Sequence, residues 1–160
     1  MSRHVIYPGS FDPVTRGHID ILERACRLFD RVTVLVAADG KAGLLPLAER
    51  VDLFAGAVAH LPSVKVAPFS GLLVEAVREH GGDAVIRGIR TAGDYEHEWG
   101  LAGVNALLAD EVEFVYFLAR PDLAAISSTL VRDVIRHGGD LEKLVPPTAV
   151  EALAGRSGKD

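Results

Sequence analysis

Short β-branched runs alternate with helix-length amphipathic runs along this chain, and that alternation restricts its fold more than any other feature. Runs at His4 to Tyr7, Val32 to Ala37 and Val64 to Ala67 are each followed by turn residues and then by an amphipathic segment. Two further runs stand at Ala84 to Arg87 and Val112 to Leu118, the second apolar along nearly its whole length, as a strand covered on both faces would be. Strands joined by helical crossovers pair in parallel, because a tight hairpin returns the chain in the opposite direction.

The segments between the strands support this reading. Ile19, Leu22, Cys26 and Phe29 recur at helical spacing, as do Val51, Phe54, Val58 and Leu61, so each crossover carries one core-facing stripe. A later helix is expected to start near Ser127-Ser128-Thr129, whose hydroxyls suit a cap, and to stop at Gly138-Gly139. A short helix follows from Pro146, with a frayed tail from about residue 154. The expectation is an α/β chain: a doubly wound, Rossmann-like five-stranded parallel sheet with helices on both faces. Residues 1–160 form a single domain in this reading, since 160 residues suffice for one core and no repeat or linker interrupts them.

Composition narrows the function classes. With 17 Lys and Arg against 22 Asp and Glu, the chain is acidic and has no basic block, which speaks against a nucleic-acid binder. No apolar stretch reaches the length of a membrane span or a signal sequence, and the single cysteine, Cys26, falls in a helical apolar pattern. A cytoplasmic protein with a reduced, packed cysteine is therefore expected.

In a doubly wound sheet, ligands bind beyond the carboxyl ends of the strands, where the strand order reverses. The loop after the first strand reads Pro8-Gly9-Ser10-Phe11-Asp12-Pro13-Val14-Thr15-Arg16-Gly17-His18 and leads into a helix at its histidine. Free amides and the helix dipole favour phosphate there, and an imidazole N–H and the Ser10 hydroxyl add donors. The same residues also suit a purely local role, with Gly9 and Gly17 as turn residues and Ser10 and Asp12 as caps. The loop lacks both the Gly-x-Gly-x-x-Gly spacing of a dinucleotide site and the Gly-Lys-Ser/Thr ending of a P-loop. That weakens an oxidoreductase reading.

Other candidates stand after later strands. Lys41 lies in a glycine-flanked loop after strand two, where a lysine is ordinarily just solvated. Arg87 and Arg90 follow a buried strand and suit bidentate contacts to phosphate, or equally an ion pair to Glu96 or Glu98. Ser127, Ser128 and Thr129 cap a helix, and the amides of a capped helix start can also receive phosphates.

Together these segments resemble bacterial phosphopantetheine adenylyltransferases, members of the HIGH-type nucleotidyltransferases. Tyr7-Pro8-Gly9-Ser10-Phe11-Asp12-Pro13 with Thr15-x-Gly17-His18 is similar to the family's first signature, Arg87-Gly88-Ile89-Arg90 to its Arg-Gly-Leu-Arg segment, and Ile126-Ser127-Ser128-Thr129 to its serine segment. The similarity runs from about Val5 to about Leu153. It implies transfer of AMP from ATP to 4'-phosphopantetheine, giving dephospho-coenzyme A and pyrophosphate in a reversible step, the penultimate one of coenzyme A biosynthesis. By the same resemblance, His18, Ser10, Lys41 and Arg90 are catalytic. ATP would meet Ser10, Phe11, His18, Gly88, Ile89, Arg90, Glu98, Leu123, Ala124, Ala125, Ile126, Ser127, Ser128 and Thr129. Phosphopantetheine would meet Ser10, Lys41, Leu73 and Arg87. Magnesium (Mg2+) would arrive with ATP, since no carboxylate cluster suggests a protein metal site. The resemblance further implies a homohexamer and carries an expectation of inhibition by coenzyme A.

Some positions depart from the family. Ser10 replaces a common threonine and keeps the hydroxyl. Glu98-Trp99-Gly100-Leu101-Ala102-Gly103-Val104-Asn105 and Leu123-Ala124-Ala125 differ along the groove and near the adenine, which puts both pockets and the coenzyme A inhibition in question. Two alternatives are set against the main reading: an adenylyl- or cytidylyltransferase for another phosphorylated acceptor, and a non-catalytic sensor of ATP or coenzyme A.

Overall fold

The structure is a computed structural model that describes residues 2–38 and 43–156. Five strands are present: β1 His4–Gly9, β2 Arg31–Ala37, β3 Val64–Phe69, β4 Ala84–Ile89 and β5 Glu113–Leu118. The helices are α1 Arg16–Ala25, α2 Leu47–Ala57, α3 Leu73–His80, α4 Ala92–Leu108, α5 Ser128–Arg136 and α6 Pro147–Ala154. The strands form one parallel sheet in the order β3-β2-β1-β4-β5. The expected doubly wound α/β sheet is therefore observed, with its reversal of strand order between β1 and β4.

Alternate residues of each inner strand feed two cores. Val5, Tyr7, Val34, Val36 and Ile86 face one, together with Leu22 of α1, Phe54 of α2, Val131 of α5 and Leu153 of α6. Ile6, Leu35 and Val85 face the other, against Val74 and Val77 of α3 and the residues Ala109 and Val112 that follow α4. Period-two alternation under helices on both faces explains why the inner strands read as nearly continuous apolar runs. Phe29 and Leu61, expected on the helices, lie just beyond α1 and α2 but still pack against the first core.

β5 differs from its expectation. It is an edge strand starting at Glu113, and Tyr116 and Leu118 are 38% and 70% exposed. One face is covered by the first core at Val115 and Phe117, and the other by the second core only at Phe114, so the expected cover on both faces gives out toward the end of the strand. α4 behaves alike. Its one fully buried residue is Glu98, while Trp99 and Leu107 are 70% and 88% exposed.

The register positions the site. β1 pairs with β2 from His4 to Gly9, and β4 with β5 from Ala84 to Ile89, but β1 and β4 pair only through Val5–Ala84 and Ile6–Val85. Beyond Ile6 the two strands part. Pro8 has no N–H to give a ladder, and its carbonyl instead accepts from Nη1 of Arg87 at 2.9 Å. The crevice of a doubly wound sheet thus opens between the loops after β1 and β4.

Candidate active site

The loop after β1 is held tightly from below. Phe11 takes a positive φ of 46° and packs edge-on to Tyr7, Phe54 and His18, with ring centroids 4.6–5.3 Å apart. A side chain at Gly9 would come within 2.8 Å of the Phe11 ring, so this turn needs glycine. The buried Asp12 carboxylate accepts from the backbone N–H groups of Leu44 and Leu45 at 2.7 and 2.9 Å. Arg50 donates to the carbonyls of Ser10 and Ala37 at 2.7 and 2.9 Å.

His18 is oriented by the start of α1. Thr15 is the N-cap: its Oγ1 accepts from the His18 N–H, and its own backbone N–H donates to His18 Nδ1 at 3.0 Å. This is a capping box closed by an imidazole in place of the usual glutamate. Because Nδ1 accepts, the proton of the neutral ring resides on Nε2, the nitrogen left for a ligand. Burial, followed by the charges of Arg90 and Arg87, pulls the His18 pKa down to about 4. At neutral pH the site therefore holds a neutral N–H donor with its tautomer set by the helix cap. The Tyr7 phenol beneath it is pushed up by burial and stays protonated.

Across the crevice, Arg87 grips Glu98 through Nε and Nη2 at 2.5–3.0 Å. Burial works against the Arg87 charge, but the hydrogen bonds and charge of Glu98 outweigh it and raise its pKa. Arg90 pairs with Asp94 through Nε at 3.0 Å and Nη2 at 3.1 Å. Burial alone would raise the Asp94 pKa, yet the hydrogen bonds from Arg90 hold it below the usual carboxylate value. Gly88 lets β4 pass close to α1, since a side chain there would collide with Ile21.

The third wall is the start of α5. Ser127 caps it by accepting from the Leu130 N–H at 3.2 Å, and Ser128 Oγ donates to the Pro13 carbonyl at 2.8 Å. Arg132 donates to the Asp12 carbonyl and to Thr129 Oγ1 at 2.5 and 3.1 Å. It is in no ion pair among the described residues, whereas Arg87 and Arg90 each are.

These walls enclose a cleft of about 390 Å3, a volume suited to a small organic ligand. Of the residues singled out in the sequence, Ser10, Phe11, His18, Arg87, Gly88, Arg90, Glu98, Leu123, Ile126, Ser127, Ser128 and Thr129 line it. Four others do not. Ile89 is buried at the end of β4, Ala124 and Ala125 are outside the lining, and Leu73 packs against the second core. Lys41 lies outside the described residues. The cleft also contains Thr15, quoted in the first motif but given no role there, and Asp94, His97 and Arg132, which sequence reasoning missed. Arg132 had a signal available, because it follows Ser128 by four residues and so shares its helix face.

Chemically, the cleft presents donors and cations with no activated nucleophile among them. That set suits orienting phosphates and stabilising charge on a transferring group, not forming a covalent intermediate. Comparison with known proteins agrees with this chemistry. The cytidylyltransferase-like family model matches residues 6–134. The chain is 46% identical over 157 residues to a protein named phosphopantetheine adenylyltransferase from Actinobacillus succinogenes, covering 98% of each. It is also 46% identical to one so named from Haemophilus influenzae, covering 95% of this chain and 98% of that protein. A solved structure from Vibrio parahaemolyticus, provisionally assigned as a nicotinate-nucleotide adenylyltransferase, superposes with a TM-score of 0.71. The two share 20% identity, with 96% of this chain and 99% of that one covered, so this likeness concerns the fold.

Proposed function

The chain belongs to the cytidylyltransferase-like family and, within it, to the phosphopantetheine adenylyltransferases, and from that premise we propose how its cleft transfers AMP from ATP to 4'-phosphopantetheine. The products are dephospho-coenzyme A and pyrophosphate, in the penultimate step of coenzyme A biosynthesis. The observation that carries the reading is a single cleft in which Ser10, His18, Arg87, Arg90 and the capped start of α5 converge.

The terminal phosphate of 4'-phosphopantetheine attacks the α-phosphorus of ATP in line. A new P–O bond forms there while the bond to the bridging oxygen breaks, and pyrophosphate leaves with that electron pair. No general base is required, since a phosphate monoester with a second pKa of about 6 is already largely ionised at neutral pH. The His18 Nε2–H donates to an α-phosphate oxygen as charge builds there, which a neutral imidazole of fixed tautomer can do without reorganising. Ser10, exposed at the mouth of the cleft, orients the attacking phosphate. Arg87 faces the pantetheine phosphate, and Arg90 with the α5 start faces the phosphates of ATP. In the same reading Lys41 serves the acceptor phosphate.

Magnesium enters with the nucleotide and is held mainly by its phosphates. The carboxylates nearest the reacting groups, Asp94 and Glu98, are committed to arginines, and the described residues contain no cluster of three or more metal-ligating side chains. Coenzyme A shares the pantetheine arm and the adenylyl group with these ligands and would compete for the same cleft. The exposed apolar residues of α4 and β5, including Trp99, Leu107 and Leu118, support assembly with further copies, for which a homohexamer is our reading. No described helix is long and apolar enough to cross a membrane, and a substrate pair met in the cytoplasm supports that location.

The test is a panel of phosphorylated acceptors with ATP or CTP, scored by pyrophosphate release. Turnover with 4'-phosphopantetheine and ATP is expected. Turnover of nicotinate mononucleotide or glycerol phosphate alone would refute the assignment, and ATP binding without any turnover would favour a sensor.

A further inference from the structure

Two arginines at the end of β4 are each gripped by a carboxylate of α4, and the two carboxylates lie one helical turn apart: Glu98 on Arg87 and Asp94 on Arg90. Asp94 is bound to Arg90 three times over. Its Oδ2 accepts from the Arg90 backbone N–H at 2.9 Å and from Nε at 3.0 Å, and its Oδ1 accepts from Nη2 at 3.1 Å. Asp94 is itself fixed, because its backbone N–H donates to Oγ1 of Thr91, the N-cap of α4, at 3.1 Å. Backbone and side chain of Arg90 are thus referred to the same capped helix start.

A guanidinium has five N–H donors in a planar fork. Asp94 accepts from Nε and Nη2 of Arg90, and the Ile126 carbonyl lies 3.4 Å from Nη1. One N–H on each terminal nitrogen is left without a partner among the described residues, and both Arg90 and Asp94 line the cleft. An unclasped arginine at a cleft rim would sample many rotamers. One held along its Nε–Nη2 edge has a single remaining direction in which to offer donors.

We infer that Asp94 is a positioning residue for Arg90, aligning its two remaining donors with a phosphate while cancelling part of its charge. This rests on the adenylyltransferase reading above, which supplies the phosphate. The two consequences separate experimentally. Alignment acts when charge builds on the transferring group and so enters kcat, whereas the neighbouring negative charge opposes anions in the ground state and so enters affinity.

Asp94→Asn keeps the side-chain size and removes the charge. It is expected to lower kcat about tenfold while tightening pyrophosphate binding and lowering the KM for ATP roughly threefold. Asp94→Glu keeps the charge and is expected to return both affinities to the wild-type values and to recover part of kcat. The proton line of Arg90 Nε–H, identified by its loss in Arg90→Lys, should be sharp in the wild type and broadened in Asp94→Asn. Thr91→Ala removes the hydrogen bond that fixes the Asp94 backbone but keeps the Asp94 charge, and is expected to lower kcat about two- to threefold, less than Asp94→Asn, with both affinities unchanged. An unchanged kcat in Asp94→Asn would overturn the inference, as would a fall in kcat accompanied by weaker binding, the mark of a damaged helix. If the wild type turned over no acceptor, the adenylyltransferase reading would fail separately. Pyrophosphate affinity and the Arg90 line, which need no acceptor, would still decide for or against the clasp.

Discussion

The wall of the cleft that grows from β1 and α1 is secured by buried packing and close hydrogen bonds, whereas the wall from β4 and α4 is secured by ion pairs on a helix whose other faces are largely exposed. In the first, Phe11 sits among three rings, Asp12 accepts two backbone amides and the Thr15–His18 box sets a tautomer. In the second, α4 has Glu98 as its single buried residue, and its glycines at 100 and 103 have open space beside them. The difference is one of task. In our reading the packed wall fixes a donor for the transferring phosphorus, and the ion-paired wall holds arginines in set directions for the phosphates of the substrates.

The contrast can be broken most severely at Phe54, fully buried and stacked edge-on under Phe11 at 4.6 Å. Phe54→Ala should cost about 3–5 kcal/mol of stability, measured by denaturant unfolding. A loss below about 1 kcal/mol would mean that the first wall is not a packed unit.

Next in size is a pH effect from His18. Its folded pKa of about 4 lies below the unfolded value of about 6.5, so the unfolded chain binds more protons between those limits. Stability from this group is fully present above pH 6.5 and falls as pH drops toward 4, by at most about 3 kcal/mol. Thermal melts at pH 7 and pH 4.5 should separate more in the wild type than in His18→Gln. Equal separation would mean that the ring is not held neutral by the fold.

The smallest effect sharpens the account of the second wall. Gly100→Ala lies mid-helix on α4, where a Cβ meets nothing within 4 Å, and should stabilise by about 0.5–1 kcal/mol. Destabilisation would show that α4 is more tightly enclosed than this chain alone indicates.

The same contrast explains what could be read from the sequence. The His18 helix start was legible because its contacts are local, with cap and capped group three residues apart. The β1 loop was legible by its glycine and proline pattern, even though distant residues such as Phe54 and Leu44 hold it. The inner strands were legible because alternate residues fill two cores, so nearly every position is apolar. β5 was legible as a strand but not in the extent of its cover, since Tyr116 and Leu118, exposed at its end, are as apolar as the residues that pack. On the second wall, Glu98 could be weighed as a partner for arginine, yet whether it bound Arg87 or a ligand depended on how α4 is rotated. Asp94, His97 and Arg132 were missed because a helix surface has several faces, and only the packed fold determines which one meets the cleft. Leu73, placed at the substrate by resemblance, starts α3 half-buried against the second core and outside the cleft lining.

The most direct test of the central claim is pyrophosphate release from ATP, magnesium and 4'-phosphopantetheine, comparing wild type with His18→Ala and identifying dephospho-coenzyme A by mass. Loss of a donor to the developing charge predicts wild-type turnover that falls roughly 10²–10³-fold in kcat in the variant, with its fold intact. A folded His18→Ala protein that forms dephospho-coenzyme A at the wild-type rate would contradict the account of this cleft as the site of transfer.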